Sequence, residues 1–238
     1  MEDTKVALVT GANKGIGYAI AEGLGRLGYT VIVGARDERR RDAAVDKLRT
    51  ADIDAFGVSL DVTSDASVAA AASTIEEKIG RLDVLVNNAG ISGRTEAGAQ
   101  DPTTLDLGVM QTVLDTNVFG VVRVTNAMLP LLHRATAPRI VNMSSDMGSL
   151  TLQTGPILAS YAASKSMLNS ITAQYARAFT DSNIIINAAC PGYTATDFTG
   201  FNSPRTADQG AAIALHLATI PDDGPRGGFF NDGGTIPW

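Results

Sequence analysis

Of 238 residues, one is a cysteine, two are histidines and 5% are aromatic. Cys190 has no second cysteine to pair with, so no disulfide can form within the chain. One thiol with His133 and His216, far apart in sequence, falls short of the ligand clusters that hold zinc, and no metal is expected. Positive charge is also scarce. Nineteen Lys and Arg against 25 Asp and Glu leave a net charge of −6, opposite to what a broad phosphate-backbone surface needs, so no nucleic-acid partner is expected. No apolar run approaches the roughly 18 residues that span a bilayer. Residues 1–5, Met-Glu-Asp-Thr-Lys, lack the basic stretch and apolar run of a signal peptide, so a cytoplasmic location without membrane attachment is expected.

What the chain has is apolar content, 45%, and 24 glycines, in a length that can bury one large core. Apolar runs of five or six residues alternate with longer segments of helical period. They place strands at 5–10, 30–35, 55–60, 84–87, 139–143, 184–189 and 228–231. The alternation predicts an α/β fold, a seven-stranded parallel sheet with helices on both faces. Val68, Ala72, Ile75 and Ile79 form one core-facing stripe and Leu168, Ile171, Tyr175 and Phe179 another; a long helix over 103–134 carries Val113, Val121 and Met128 inward. No repeat, linker or low-complexity tract interrupts the pattern, so residues 1–238 read as one domain.

The first strand runs into Thr10-Gly11-Ala12-Asn13-Lys14-Gly15-Ile16-Gly17 and then a helical pattern. Glycines at such a turn let a backbone approach a pyrophosphate, and the helix N-terminus presents unpaired N–H groups to it. The alternative is a plain tight turn. The spacing is G-x-x-x-G-x-G rather than G-x-G-x-x-G. Together with Asn87-Asn88-Ala89-Gly90 after the fourth strand and Tyr161-x-x-x-Lys165 on a later helix, it resembles the short-chain dehydrogenase/reductase family over nearly the whole chain. Within that family the stretch 6–17, Ala35-Arg36-Asp37 and the ending 227–238 resemble the carbonyl reductase branch. The resemblance implies a Rossmann-type doubly wound sheet of order 3-2-1-4-5-6-7, with a cofactor half over about 1–90 and a catalytic and substrate half over about 91–238.

The end of the second strand decides which dinucleotide is held, because a carboxylate there suits a ribose hydroxyl and an arginine suits a 2′-phosphate. Arg36 stands there with Lys14 in the neighbouring turn, a pair that in similar proteins implies NADP(H). The other reading makes Arg36, with Arg39, Arg40 and Arg41, a solvated helix start. Asp61-Val62 resembles the family's adenine contact, although Asp61 is also a good helix cap. Asn88, Ala89 and Gly90 are expected to pack behind the cofactor.

Tyr161 and Lys165, four residues apart, share a helical face. A free phenol has a pKa of about 10, and a nearby ammonium lowers it. By resemblance Tyr161 gives its proton to a carbonyl oxygen as hydride arrives, Lys165 also binds the nicotinamide ribose, Ser145 polarises the carbonyl, and Asn117 holds a relay water. Ser144 and Ser145 are separated only by that analogy, and Asn117 could equally be a plain buried amide. Pro191, Gly192, Thr194 and Thr196 resemble the family's P-G-x-x-x-T, which holds the nicotinamide carboxamide and implies transfer of the pro-S hydride. Cys190 reads as an inert buried thiol.

Residues 91–100, 146–159 and 193–205 are left to shape the substrate pocket, with Met147, Leu152, Tyr193, Phe198 and Phe201 as apolar walls and no obvious anchor for a charged group. A small or medium apolar ketone, aldehyde or dicarbonyl is the expected substrate. Ser145 and Tyr161 are 16 residues apart, too close for the insertion that covers the dimer face in some monomeric carbonyl reductases, so a homodimer or homotetramer is expected. Other readings are a 3-oxoacyl thioester reductase of the same family, which normally needs a basic face for its acidic carrier, and a non-catalytic NADP(H) sensor. A halohydrin dehalogenase on the same fold would have arginine in place of Lys165.

Overall fold

Val6–Thr10 (β1) is buried at every position, as a strand covered on both faces must be. The structure, a computed structural model, describes residues 4–94, 101–152 and 155–238. Around β1 the chain builds Gly15–Arg26 (α1), Thr30–Ala35 (β2), Glu38–Thr50 (α2), Ala55–Ser59 (β3), Asp65–Lys78 (α3) and Val84–Asn87 (β4). Leu107–Leu114 (α4), Gly120–Leu132 (α5), Arg139–Met143 (β5), Ala159–Ala178 (α6), Ile185–Ala189 (β6), Ala207–Ala218 (α7), Phe229–Asn231 (β7) and Gly234–Thr235 (β8) follow. The sheet order is β3-β2-β1-β4-β5-β6-β7-β8.

Seven strands are parallel, in the expected order. The eighth is a correction: β8 pairs antiparallel with β7, Phe230 opposite Thr235 and Asn231 opposite Gly234, across the two-residue loop Asp232-Gly233. A two-residue strand is too short to show the alternation that betrays longer ones. Strand ends at Lys5, Leu60, Ile184 and Gly228 shift by one residue, yet several remain in the ladder: Thr30 N–H donates to Lys5 O at 2.9 Å and Leu60 N–H to Ala35 O at 3.1 Å.

Side chains alternate across the strands and divide the core in two. Ala7, Val9, Val31, Val33 and Val86 pack beneath α1, α2 and α7, whereas Val6, Leu8, Ile32, Leu85 and Ile140 pack beneath α3, α5 and α6. In α3 the inward residues are Val68, Ala71 and Ile75; Ile79 lies past the helix end and is 38% exposed, so the predicted stripe runs one residue too far. Val113, Val121 and Met128 are buried as expected. Their helix begins later than 103, at Leu107, because the Asp106 carboxylate caps it from Gly108 and Val109. Between α4 and α5 the helix widens into a π segment, Asp115–Phe119, with Gly120 N–H reaching back to Asp115 O. Among the described residues no helix is long and apolar enough to cross a membrane.

The central strands are also joined by polar side chains on the α5/α6 side. Asn87 Nδ2 donates to Asn142 Oδ1 at 2.9 Å and to Thr125 Oγ1 at 3.1 Å, and Asn142 Nδ2 donates to Thr172 Oγ1 at 2.9 Å. Asn142 is fully buried. This chain ties β4, β5, α5 and α6 at the carboxyl end of the sheet. Replacing Asn142 with Leu takes away the acceptor for Asn87 and the donor to Thr172, and should cost about 1–3 kcal/mol in thermal or urea unfolding. An unchanged unfolding midpoint would show that these bonds contribute nothing.

Candidate active site

All the parallel strands end at one edge, and a cleft of about 1120 Å³ opens there where the order turns from β1 to β4. Its floor is sewn by Thr10 and Asn88. The Thr10 hydroxyl accepts the N–H groups of Asn88 at 2.9 Å and Ala89 at 3.0 Å, and Asn88 Nδ2 donates to Thr10 O at 2.9 Å and Gly11 O at 3.3 Å. Gly11 and Gly15 have positive φ, +65° and +56°, which only glycine adopts without strain. A Cβ on Gly17 would lie 2.4 Å from Asn88 Nδ2 and 2.5 Å from Gly11 O, so this turn closes only around glycine. Lys14 caps α1 without a side-chain bond, and the first turn carries no acid. The N–H groups of Gly15, Ile16 and Gly17 are therefore left to the cleft that these residues and Asn13 line. This cradle suits a pyrophosphate.

Every residue expected to hold the dinucleotide lines that cleft. Arg36 is exposed at the end of β2. Asp37 beside it caps α2, accepting from Arg40 N–H at 3.0 Å, so its carboxylate is already engaged. Arg40 also lines the cleft, one helical turn from Arg36. Arg40 also pairs with Asp37 at 3.6 Å and its side chain is 63% exposed, in keeping with a solvated helix start. Arg41 departs from that reading: its side chain is 13% exposed, pairs with Glu38 and Asp42, and lies against Gly57 of β3, where no side chain stands in its way. Lys14 spans the cleft mouth to Asp197 at 2.9 Å rather than turning to Arg36. Asp61 is not the helix cap, a place taken by Ser64. Its carboxylate accepts from the Thr63 hydroxyl at 2.7 Å and N–H at 3.0 Å, bonds that hold it below the usual carboxylate range. Val62 lies buried beneath it.

At the other end, α6 buries Tyr161 and Lys165 against the ends of β5 and β6. The two serines separate cleanly. Ser144 is buried and donates to Asn169 Oδ1 at 2.6 Å, whereas Ser145 lines the cleft with Tyr161 and donates to Asp146 Oδ1 at 3.1 Å. Burial raises the phenol well above its ordinary value; Ser145 pulls the other way, while Cys190 and Asp146 add to the rise. The same burial brings Lys165 down to about 8. The expected lowering of the phenol by the ammonium is therefore not what the chain alone exhibits. Lys165 Nζ is turned onto Met143 O at 2.7 Å and stands 5.6 Å from the Tyr161 ring centre, and desolvation of a phenolate outweighs it.

Asn117 sits in the π segment, fully buried. Its Oδ1 accepts from Ile91 N–H at 2.8 Å, and its Nδ2 donates to Ile91 O at 2.9 Å and Ser164 Oγ at 3.0 Å. The side-chain amide is thus taken up by protein groups, as in the buried-amide reading, and fastens the segment after β4 to α6. A Cβ on Gly90 would lie 3.3 Å from Asn117 Oδ1 and 3.8 Å from Lys165 Nζ, so the three residues meet at one point. After β6, Pro191, Gly192, Thr194 and Thr196 form the far wall. Thr194 is buried with its hydroxyl on backbone carbonyls, and Thr196 packs near Gly15. Cys190 is buried with its thiol pushed up by that burial, as expected of an inert sulfur.

Of the predicted apolar walls, Met147, Tyr193 and Phe198 line the cleft, and the Phe198 ring lies 5.3 Å from that of Tyr161. Leu152 and Phe201 do not line it; they are 41% and 65% exposed and face away. Apolar character alone cannot tell a loop residue that turns inward from one that turns out. Ile91, Pro156 and Leu158 take their place. Residues 95–100 and 153–154 of the pocket-shaping segments lie outside the described residues. Among the described residues no group of histidine, cysteine or acidic side chains could hold a metal ion.

The short chain dehydrogenase family model matches residues 5–207. Short-chain dehydrogenase/reductase 1 of Saponaria officinalis is 34% identical, with 98% of this chain and 96% of that protein covered. Carbonyl reductase [NADPH] 1 of Rattus norvegicus is 31% identical, with 99% of each covered. Both alignments run over more than 280 positions, so these relatives carry segments that this 238-residue chain lacks. The crystal structure of NADPH-bound carbonyl reductase from chicken fatty liver superposes with a TM-score of 0.84 at 29% identity, covering 99% of each chain. With the glycine turn, the Tyr161–Lys165 face and Ser145 gathered at the same edge of the same sheet, the chain belongs to the short-chain dehydrogenase/reductase family.

Proposed function

We propose that this protein reduces the carbonyl group of a small apolar ketone or aldehyde to an alcohol, reversibly, with NADP(H). The observation that carries this reading is that one cleft joins the glycine turn and Arg36 at one end to Ser145, Tyr161 and Lys165 at the other. The relatives named as NADPH carbonyl reductases support it.

NADPH, when bound, supplies the hydride. The N–H groups at the start of α1 would hold its pyrophosphate, and Arg36 with Arg40 its 2′-phosphate; Lys165 would bond the nicotinamide ribose, with Gly192 and Thr196 at the carboxamide. A carbonyl oxygen beside Tyr161 takes a hydrogen bond from Ser145, which stabilises the negative charge growing there as a C–H bond forms at carbon. The oxygen then takes the Tyr161 proton, leaving a phenolate that is reprotonated before the next turnover. Burial of the phenol keeps it protonated near neutrality, the form that reduction needs. Met147, Tyr193 and Phe198 give the substrate an apolar wall.

Three outcomes are expected. Tyr161→Phe should lower turnover by about 10²–10⁴-fold, the worth of a positioned general acid, while NADPH still binds by fluorescence titration; near-normal turnover followed at 340 nm would exclude the role. Arg36→Asp should weaken NADPH relative to NADH by roughly 10–100-fold in kcat/KM, the loss of a charge-assisted bond to the phosphate. An unchanged ratio would place the phosphate elsewhere. We further propose a homo-oligomer packed through the helices around Asn117 and after Tyr161, where Phe119 and Met167 are 42% and 40% exposed. Light scattering should then give two or four chain masses, and a single chain mass would rule it out.

A further inference from the structure

Arg123 on α5 has no part in the mechanism above, yet its guanidinium reaches the wall of the cleft. Nη1 donates to Val62 O at 2.7 Å, Nη2 to Asp115 Oδ1 at 3.4 Å, and Nε to the Asp65 carboxylate at the start of α3. The side chain is 22% exposed. Gly120, one helical turn earlier, lets α5 come this close, since a Cβ there would lie 2.9 Å from Val62 Cγ2 and 3.1 Å from Val62 O. The helix that follows the π segment of Asn117 is thereby joined to the turn at 61–63.

The bond to Val62 fixes more than one carbonyl. Val62 O and Thr63 N–H belong to one planar peptide group and point in opposite directions. That N–H donates to Asp61 Oδ1 at 3.0 Å, and the Thr63 hydroxyl donates to the same oxygen at 2.7 Å. The Asp61 N–H is held in turn by Ser67 Oγ at 2.9 Å. A rotation of the 62–63 peptide would break the Arg123 bond on one side and an Asp61 bond on the other. Asp61 Oδ1 is thus kept inside the turn, and Oδ2 is the oxygen that Asp61 can offer a ligand in the cleft it lines. Arg134 makes a similar clamp at the other ends of α3 and α5, bonding Gly80 O at 2.8 Å and Glu76 at 2.6 Å, but it lines no part of the cleft.

We propose that Arg123 is a positioning residue for the purine of the cofactor: by holding the Val62–Thr63 peptide it keeps Asp61 oriented to accept from the exocyclic amino group of adenine, and so sets selectivity for adenine over a 6-oxopurine. A purine with oxygen in that place brings an acceptor to a carboxylate, which leaves both without a donor. The inference rests on the NADP(H) reading of the cleft, with adenine at Asp61 and Val62. It adds a residue that acts through Asp61 without touching the ligand.

The test is the dissociation constant, by fluorescence titration of the whole protein, for NADPH and for its analogue with hypoxanthine in place of adenine. Wild type, Arg123→Met and Arg134→Met are compared. The wild type should prefer NADPH by about 10–100-fold, the worth of a hydrogen bond to a charged acceptor. Methionine keeps an apolar stem and removes the donors, so Arg123→Met should shrink that preference by about 3–10-fold, the worth of one hydrogen bond, with kcat at saturating NADPH unchanged. Arg134→Met should keep the wild-type preference even where its unfolding midpoint falls as far. An Arg123→Met preference equal to that of the wild type overturns the proposal, and so does an equal loss in Arg134→Met, which would make any loosening of α3 from α5 sufficient. Should Arg123→Met fail to fold, Arg123→Lys carries the same expectation, because a single ammonium keeps the charge beside Asp65 and Asp115 without the fork that also reaches Val62 O. A wild type that binds no NADPH, or binds both dinucleotides equally, overturns the reading of the cleft itself; a selective wild type with an equally selective Arg123→Met overturns only the role of Arg123.

Discussion

The bond pair between the Thr10 hydroxyl and the N–H groups of Asn88 and Ala89 sets the spacing on which the cleft depends. It locks the end of β1 to the end of β4 at the place where the sheet order reverses. Asn88 returns the bond through its side chain to Thr10 O and Gly11 O, and this leaves no room for a side chain on Gly17. The glycine turn is therefore fixed in shape by protein contacts before any ligand arrives. The residues of that turn line the cleft at no further cost in ordering, the sense in which a site is preorganised.

At the reacting end the governing term is burial rather than charge pairing. Tyr161 and Lys165 are both withdrawn from water, and each is driven toward its neutral form. A neutral phenol is a competent acid only where the developing oxyanion receives help, the role proposed for Ser145. The polar chain from Asn87 through Asn142 to Thr172 holds β4, β5 and α6 in place directly behind these groups. A shift of α6 would move the phenol away from Ser145. The arrangement therefore joins fold stability to site geometry through buried amides rather than through apolar packing alone.

Much of this was legible in the residue order. The parallel strands and the inward faces of the helices followed from short apolar runs and period, because burial on two faces leaves a strong pattern; the order of the strands in the sheet came only with the family resemblance of the motifs. The motif residues were legible for a different reason: glycine at 11, 15 and 17, and Tyr161 four residues before Lys165, are demanded by local geometry and so sit at fixed spacing. The inward turn of Arg41 and the exposure of Leu152 and Phe201 were not legible. Which way a loop or helix-start side chain points is set by contacts with segments far away in the chain, and no local spacing encodes it. β8 was missed because a two-residue strand has no period.

Residue order alone was sufficient for the layered α/β architecture, which rests on near-neighbour patterns of apolar residues, whereas the chemistry proposed for the cleft was legible only through the family resemblance of its motifs. Long-range packing was needed to separate Ser144 on Asn169 from Ser145 in the cleft, to commit the Asn117 amide to Ile91 and Ser164, and to turn Lys165 onto Met143 O. Each of these is a choice among partners equally suitable in kind. Such choices are settled by distance and burial in the folded chain, quantities that come into being only when β5, β6 and α6 meet.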